Sequence, residues 1–363
     1  MRILYISNPN SHLTRIWVNW FANNGHQVSL IADNPLKIEW PNMTIFDLPG
    51  RLNIRFIRFL FWEIWTRQIL RIWQPDVLHA HRVSSAGWLG TFTNFHPFVV
   101  TAWGSDLLLH PKRSRIAREL AYIVLRNADL ITANSKTVLQ KAINFGGDPS
   151  HSHKISWGVD LNQFYPENAN NLREDLNLGN APIVLSPRAV GPIYNTDVII
   201  ESIPIVLNQF PEVIYLILNS ENDPIYKSKL QKRIDELGIN KNIKWIPYQT
   251  TNRFVDFFRI STVVLSVPSS DSIPTTVIEA FACGSPVIVS DLPAIREIIT
   301  NNINGIIVPI NDYHALAQST IEILNNPRQR EIFAQYNINW VNEYANRETE
   351  MKKMDGLYYD LLK

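Results

Sequence analysis

VLSVPSSDSIPTTVIEAFACGSPVIVSDLPAIRE, Val264–Glu297, decides the fold. An apolar run ends at Pro268, a polar turn follows, a helix-like stretch spans Pro274–Ala282, and a second apolar run starts at Pro286. Strand, turn, helix and strand in that order make the repeating unit of a parallel sheet. Proline suits the first helical position because it has no N–H to leave unpaired. The free N–H groups of Thr275, Thr276 and Val277, at the positive end of the helix, attract an anion, best a phosphate. Asp271 lies just before the helix and Glu279 lies one turn into it, so the D-x7-E pair flanks a ligand docked there. Spacing alone equally allows Asp271 to cap the helix and Glu279 to face solvent.

The same alternation runs outward to both ends. Arg2–Ile6, Gln27–Ile31, Val77–Ala80, Phe98–Ala102 and Leu130–Ala133 read as buried strands, with helix patterns at Thr14–Asn23, Ile54–Trp73 and Ile116–Asn127. Pro182–Ser186, Tyr215–Asn219, Ile243–Ile246, Val263–Val267 and Pro286–Val289 form a second series, interleaved with helices at Asp197–Gln209, Pro224–Leu237, Asn252–Phe258 and Pro274–Ala282. Two series predict an α/β protein of two doubly wound, Rossmann-like domains, each sheet covered on both faces. At 363 residues the chain also exceeds the ~250–300 at which single cores stop growing. Polar Asn162–Leu176 reads as the linker. The expected domains are 1–165, with 343–363 forming a helix that packs back on it, and 170–342. Ligands of open sheets bind beyond the strands' carboxyl ends, which predicts a site in a central cleft between the two.

The net charge of +1 conceals an asymmetry. Met1–Trp157 holds 17 basic and 9 acidic residues and nine of the eleven tryptophans, whereas Gly158–Lys363 holds 17 basic and 24 acidic. Hydrophobic residues at 45% and charged residues at 18% exclude a disordered chain. Cys283 is the only cysteine, so no internal disulfide exists and a reducing, cytoplasmic setting is the simpler reading. No CxxC, HExxH, P-loop or GxSxG string occurs. The His79/His81 and His151/His153 pairs lack the acids or cysteines that would complete a metal site, so no metal is expected. No run reaches the ~18 apolar residues of a membrane span. Met1–Ser7 reads as a strand rather than a secretion signal.

The quoted stretch resembles the acidic motif of the family 4 glycosyltransferases. Pro268, Ser269, Asp271, Glu279, Ala280, Ala282, Gly284, Pro286, Val287 and Asp291 match that motif, and Glu297 also stands where the family often has Glu. GHQV (Gly25–Val28), PDVLHAH (Pro75–His81), GSDL (Gly104–Leu107), ADLITANS (Ala128–Ser135), GVDLNQFYP (Gly158–Pro166) and LSPRAVGPIYNTDVIIES (Leu185–Ser202) have counterparts in order. The resemblance implies the GT-B fold and a retaining transfer of a hexose from a UDP- or GDP-linked sugar to a hydroxyl acceptor, in polysaccharide, glycoconjugate or glycolipid synthesis. It implies catalytic roles for Arg188 at the diphosphate, Asp271 at the hexose and Glu279 at the ribose diol. Ser186, Ile273, Thr275, Thr276 and Tyr248 complete the implied donor site. No cofactor or metal is implied, and no nucleic-acid partner. A nucleotide-sugar 2-epimerase and a non-catalytic nucleotide-sugar-binding protein are the alternatives on this fold.

Four departures from the family pattern bear on specificity. The loop after the first strand, Ser7–Trp17, has no glycine and presents His12 and Arg15 instead. Trp103 replaces the usual His before Gly104-Ser105-Asp106, so His12, Arg15, Trp103 and Asp106 are the acceptor- or sugar-side candidates. Ile193 replaces a Lys, and Asp271 a Glu. Finally, Arg51–Trp73 reads as a helix with Arg51, Arg55 and Arg58 on one face and Ile54, Ile57, Phe61, Ile64 and Trp65 on another. Such a helix suits the anionic inner face of a membrane carrying a lipid-linked acceptor, or equally a core stripe with solvated arginines.

Overall fold

The computed structural model describes residues 1–37, 39–40, 43–48, 55–218, 223–247, 249 and 251–363, with the backbone alone described at 55–58, 170 and 251–252. The chain divides into two compact units, Met1–Trp157 with Thr349–Lys363, and Gly158–Glu348.

The first unit runs β1 (Arg2–Ser7), α1 (His12–Asn23), β2 (Gln27–Ala32), β3 (Thr44–Asp47), α2 (Arg55–Trp73), β4 (Val77–His81), α3 (Ser85–Thr93), β5 (Phe98–Ala102), α4 (Ser105–Leu108), α5 (Arg115–Asn127), β6 (Leu130–Ala133), α6 (Lys136–Asn144) and β7 (Ser152–Lys154). Its parallel sheet has the order β3-β2-β1-β4-β5-β6-β7. The chain therefore steps one way from β1 and the other way from β4, and the reversal leaves a crevice beyond the carboxyl ends of β1 and β4. β4, β5 and β6 are buried along their whole length. One apolar cluster lies on each face of the sheet: Leu4, Leu78, Phe98 and Val124 belong to one, Ile3, Trp17, Phe21 and Val77 to the other. Each such side chain contributes roughly 1.5–3 kcal/mol on leaving water.

The second unit runs α7 (Asn170–Asp175), β8 (Ile183–Ser186), α8 (Thr196–Leu207), β9 (Ile214–Leu218), α9 (Pro224–Leu237), β10 (Ile243–Ile246), α10 (Thr251–Arg259), β11 (Val263–Ser266), α11 (Thr275–Ala282), β12 (Val287–Ser290), β13 (Ile306–Val308), α12 (Tyr313–Asn325) and α13 (Pro327–Tyr344). Its sheet is also parallel, β10-β9-β8-β11-β12-β13, and reverses between β8 and β11. The last helix, α14 (Arg347–Leu361), joins the first unit from Thr349, where Met351, Met354 and Tyr358 are fully buried.

Three local expectations need correction. Asn162–Leu176 is not a bare linker: the unit boundary falls after Trp157, and Phe164 and Leu172 are buried in the second unit's core. Polar composition had masked a short apolar stripe. The final helix is not continuous over 343–363, because α13 ends at Tyr344 and α14 starts at Arg347. Val159 donates its N–H to Ala345 and accepts that of Arg347, so backbone groups that a single helix would use are spent on a bridge. Gly158 makes this crossing possible, since a Cβ there would lie 2.5 Å from the Arg347 Cα. Pro274 is the residue before α11, with extended ψ of 133°, rather than its first turn.

Candidate active site

In the second unit, the loops after β8 and β11 leave neighbouring strands on the two sides of the topological reversal. They are tied to each other. Asn195, held in the left-handed conformation at φ 53°, donates its side-chain amide to the Val267 carbonyl at 2.9 Å. Ser269 donates its backbone N–H to the Ile193 carbonyl at 2.8 Å. Ile193 thus replaces the family's Lys with a residue whose main chain anchors the opposite loop.

Arg188 projects from the first of these loops. Its Nη2 donates to Asp271 Oδ2 at 2.5 Å, its Nη1 reaches Thr276 Oγ1 at 3.4 Å, and its guanidinium lies 4.8 Å from the Tyr194 ring centre. Asp271 also accepts the Ser272 N–H through Oδ1 at 2.8 Å. Asp271 therefore does not cap α11, whose start has no side-chain cap. Val277 N–H bonds to the Pro274 carbonyl, which corrects its place among the free donors. The N–H groups of Thr275 and Thr276 remain as donors at the positive helix end beside Arg188.

Glu279 is buried, not solvated, and its Oε2 has no hydrogen-bond partner. Burial pushes its pKa up to about 7, against the pull of Arg347 and Arg188. An unsatisfied carboxylate oxygen at such a place is costly unless a ligand donates to it. Ser186 and Ile273 are buried at the ends of the loops. Gly284 closes α11 at φ 72°, in the left-handed form that C-terminal glycines supply, and Ser285 bonds back to Phe258 at 2.7 Å. The Gly-x-Pro-Val part of the motif thereby serves the turn from α11 into β12. Tyr248 lies outside the described residues.

In the first unit, Asp106 is not free for an acceptor. Its carboxylate accepts the N–H groups of Val83 (2.7 Å), Gly104 (2.8 Å) and Trp103 (3.1 Å). Burial pushes its pKa up, and those bonds and Arg82 pull it down. Trp103 packs edge-on against Trp157 at 5.0 Å and lies 5.7 Å from the His81 ring. Arg15 stacks on Trp40 at 5.6 Å. His12 is the first residue of α1, after Ser11, so it does not cap the helix.

His79 bonds Tyr358 and Thr101 through its two ring nitrogens. Neither ring nitrogen of buried His81 has a partner, and burial, then Arg82, lowers its pKa to about 3. Among the described residues no cluster of His, Cys, Asp or Glu is placed to hold a metal ion, and no helix is long and apolar enough to cross a membrane. Arg82 and Asn195 escaped sequence reasoning. The one signal for Arg82 was a charged residue directly after a buried strand.

Two doubly wound parallel units, one carrying a cationic loop and an acidic helix start at its strand reversal, define a GT-B glycosyltransferase framework. Residues 168–340 match the family model described as Glycosyl transferases group 1, and residues 2–135 that described as Glycosyl transferase 4-like. The chain belongs to the family 4 glycosyltransferases. It is 26% identical over 289 residues to the D-inositol 3-phosphate glycosyltransferase of Jonesia denitrificans, an alignment covering 72% of this chain and 66% of that protein. The Streptosporangium roseum protein of the same name is 26% identical over 305 residues, covering 79% and 69%. Among solved structures, HepE of Anabaena in complex with UDP-glucose superposes with a TM-score of 0.84 at 17% identity, covering 99% of this chain and all of that one. Sucrose-phosphate synthase of Thermosynechococcus elongatus gives 0.83 at 18%, covering 99% of each.

Proposed function

We propose that the protein transfers a hexose from a nucleoside diphosphate sugar to a hydroxyl acceptor with retention of anomeric configuration, in polysaccharide, glycoconjugate or glycolipid synthesis. The single observation that carries the donor side is the grouping of Arg188, the Thr275 and Thr276 N–H groups and the buried, unpartnered Glu279 around one strand reversal. Arg188 and the helix start take the diphosphate oxygens, because a guanidinium stays charged and binds oxyanions in pairs. Glu279 accepts hydrogen bonds from the ribose diol. Asp271 meets the hexose once the diphosphate has drawn Arg188 away. The bond from C1 to the diphosphate oxygen breaks as the acceptor oxygen approaches the same face. The departing diphosphate takes the acceptor's proton, and its charge is held by fixed dipoles and Arg188. No metal or cofactor enters this scheme.

UDP is favoured over GDP by the fold neighbour solved with UDP-glucose. Cytoplasmic action at an anionic membrane face is supported by α2, on which Leu60, Phe61, Ile64 and Ile72 are exposed beside Arg67 and Arg71. Arg51 and Ile54 of that segment, and the side chains of Arg55, Ile57 and Arg58, lie outside the described residues. A melting panel of UDP-, GDP- and ADP-sugars tests the donor: binding raises the melting temperature by mass action. No shift from any of them at millimolar concentration sinks the donor reading. Equal sedimentation with anionic and neutral vesicles, or none with either, sinks the membrane part.

A further inference from the structure

The crevice beyond β1 and β4 in the first unit presents a cation that none of the donor chemistry uses. Arg82 directly follows β4 and has φ of 95°, a backbone region that long side chains rarely enter. It is pinned on both sides: its N–H donates to the Thr101 carbonyl at 2.8 Å and its carbonyl accepts the Gly87 N–H at 3.0 Å. Gly87 is the only fit there, since a Cβ would lie 2.9 Å from the Arg82 oxygen. Strain of this kind persists where the surroundings impose it, and it concentrates at binding sites.

The strained backbone delivers the guanidinium over the Trp103 ring, 4.8 Å from its centre. Trp103 is itself held from behind, by Asp106 at its N–H and by Trp157 at its edge. The guanidinium is half-buried and has no ion pair among the described residues. Asp106, the acid whose charge it feels, already accepts three backbone N–H groups. Asp33, bound to Ser85 Oγ at 3.0 Å, is a partner of the neighbouring helix start instead. One face of Arg82 is thus covered by an aromatic ring, and its N–H edge is unspent. That edge fits two oxygens of a phosphate or carboxylate. The unit around it carries a net charge of +8.

We propose that Arg82, backed by Trp103, is a subsite for an oxyanion carried by the acceptor, so that the protein glycosylates a negatively charged acceptor. The inference rests on the transferase reading for the word acceptor, but the subsite itself can be tested apart from it. The full chain, saturated with UDP so that the Arg188 site is filled, is titrated calorimetrically with glucose 6-phosphate, glucuronate and glucose. These share a ring and differ in charge. The wild type binds at least one anionic sugar tenfold or more tightly than glucose, and the stronger of the two assigns phosphate or carboxylate. Arg82→Gln removes that contrast and Arg82→Lys keeps part of it. Arg82→Gly guards against misfolding: it relieves the backbone, melts at or above the wild-type temperature, and still loses the contrast. Equal binding of all three sugars by the wild type overturns the proposal, as does a contrast that survives in Arg82→Gly. Failure of every nucleotide to bind overturns the donor reading alone, because the charged-to-neutral contrast still decides Arg82.

Discussion

Arg188 Nη2 and Asp271 Oδ2 lie 2.5 Å apart, with the two side chains 14% and 21% exposed. The carboxylate that the family places at the sugar here occupies the cation proposed for the diphosphate. An internal counterion competes with the ligand for the same N–H groups. Asp271→Asn therefore tightens the binding of free UDP or GDP, by roughly tenfold if about 1.4 kcal/mol of pairing is lost, while turnover falls. Arg188→Ala weakens binding and lowers kcat/KM by about 10²–10³, the scale of a lost transition-state donor. Titration calorimetry and steady-state rates check both. Weaker nucleotide binding by Asp271→Asn would show that the pair does not oppose the ligand.

Glu279 predicts a pH signature. Its folded pKa of about 7 lies above the ordinary 4.5 because the carboxyl is buried. As pH rises past 4.5 the unfolded chain loses the proton first, so the stability held below 4.5 is lost through about 7. The loss is at most about 3 kcal/mol. Glu279→Gln removes this dependence: it melts like the wild type at pH 5 and higher at pH 8. Nucleotide affinity moves the opposite way. The ionised carboxylate is the better acceptor for a diol, so wild-type affinity rises from pH 6 to 8, and that of Glu279→Gln stays flat and low. Melting curves and titrations at three pH values decide it, and parallel pH profiles for the two proteins would refute the buried-carboxylate account.

The two sheets were legible because buried strands in a doubly wound fold are continuous apolar runs, and β5, β6 and β10 fall at the residues expected. What failed to show were the edge strands β3, β7 and β13: TIFD and SHK are short, partly exposed and carry no periodic signal, and IIV, though apolar, is only three residues long. Of the candidate site, Arg188, Asp271, Thr276 and Glu279 were named through the motif and the resemblance it carries, and the structure brings Asp271 and Thr276 each within hydrogen-bond reach of Arg188. The Arg188–Asp271 pairing was not readable, because it joins loops 83 residues apart. Asp106 misled for a related reason: an acid in a loop motif looks like a ligand donor until its three N–H partners are seen.

Asn195 tests how far loop stitching serves binding. It combines a left-handed backbone with a buried amide bonded to Val267. Asn195→Ala loses the bond and adds backbone strain, at a combined cost of about 2–3 kcal/mol. Asn195→Gly keeps the backbone at ease and loses only the bond, about half as much. Both loosen the loop that carries Arg188, so donor KM rises several-fold while a denaturant midpoint reports the stability order. A rise in KM without any change in stability would instead give Asn195 a direct contact with the donor.

Asp106 separates support from chemistry in the first unit. Its three N–H partners come from the loops after β4 and β5, which also hold Arg82 and Trp103. Asp106→Ala orphans all three donors in a buried place and costs on the order of 3–5 kcal/mol. Asp106→Asn keeps one accepting oxygen and costs less. Because the loops proposed to bind the nucleotide lie wholly in the other unit, UDP affinity of the protein that remains folded stays at the wild-type value. Acceptor affinity drops with Asp106→Ala, since the platform under Arg82 shifts, and the graded series Asp, Asn, Ala tracks the denaturant midpoint. An Asp106→Asn protein of unchanged stability that has lost turnover would instead make this carboxylate a participant in the reaction.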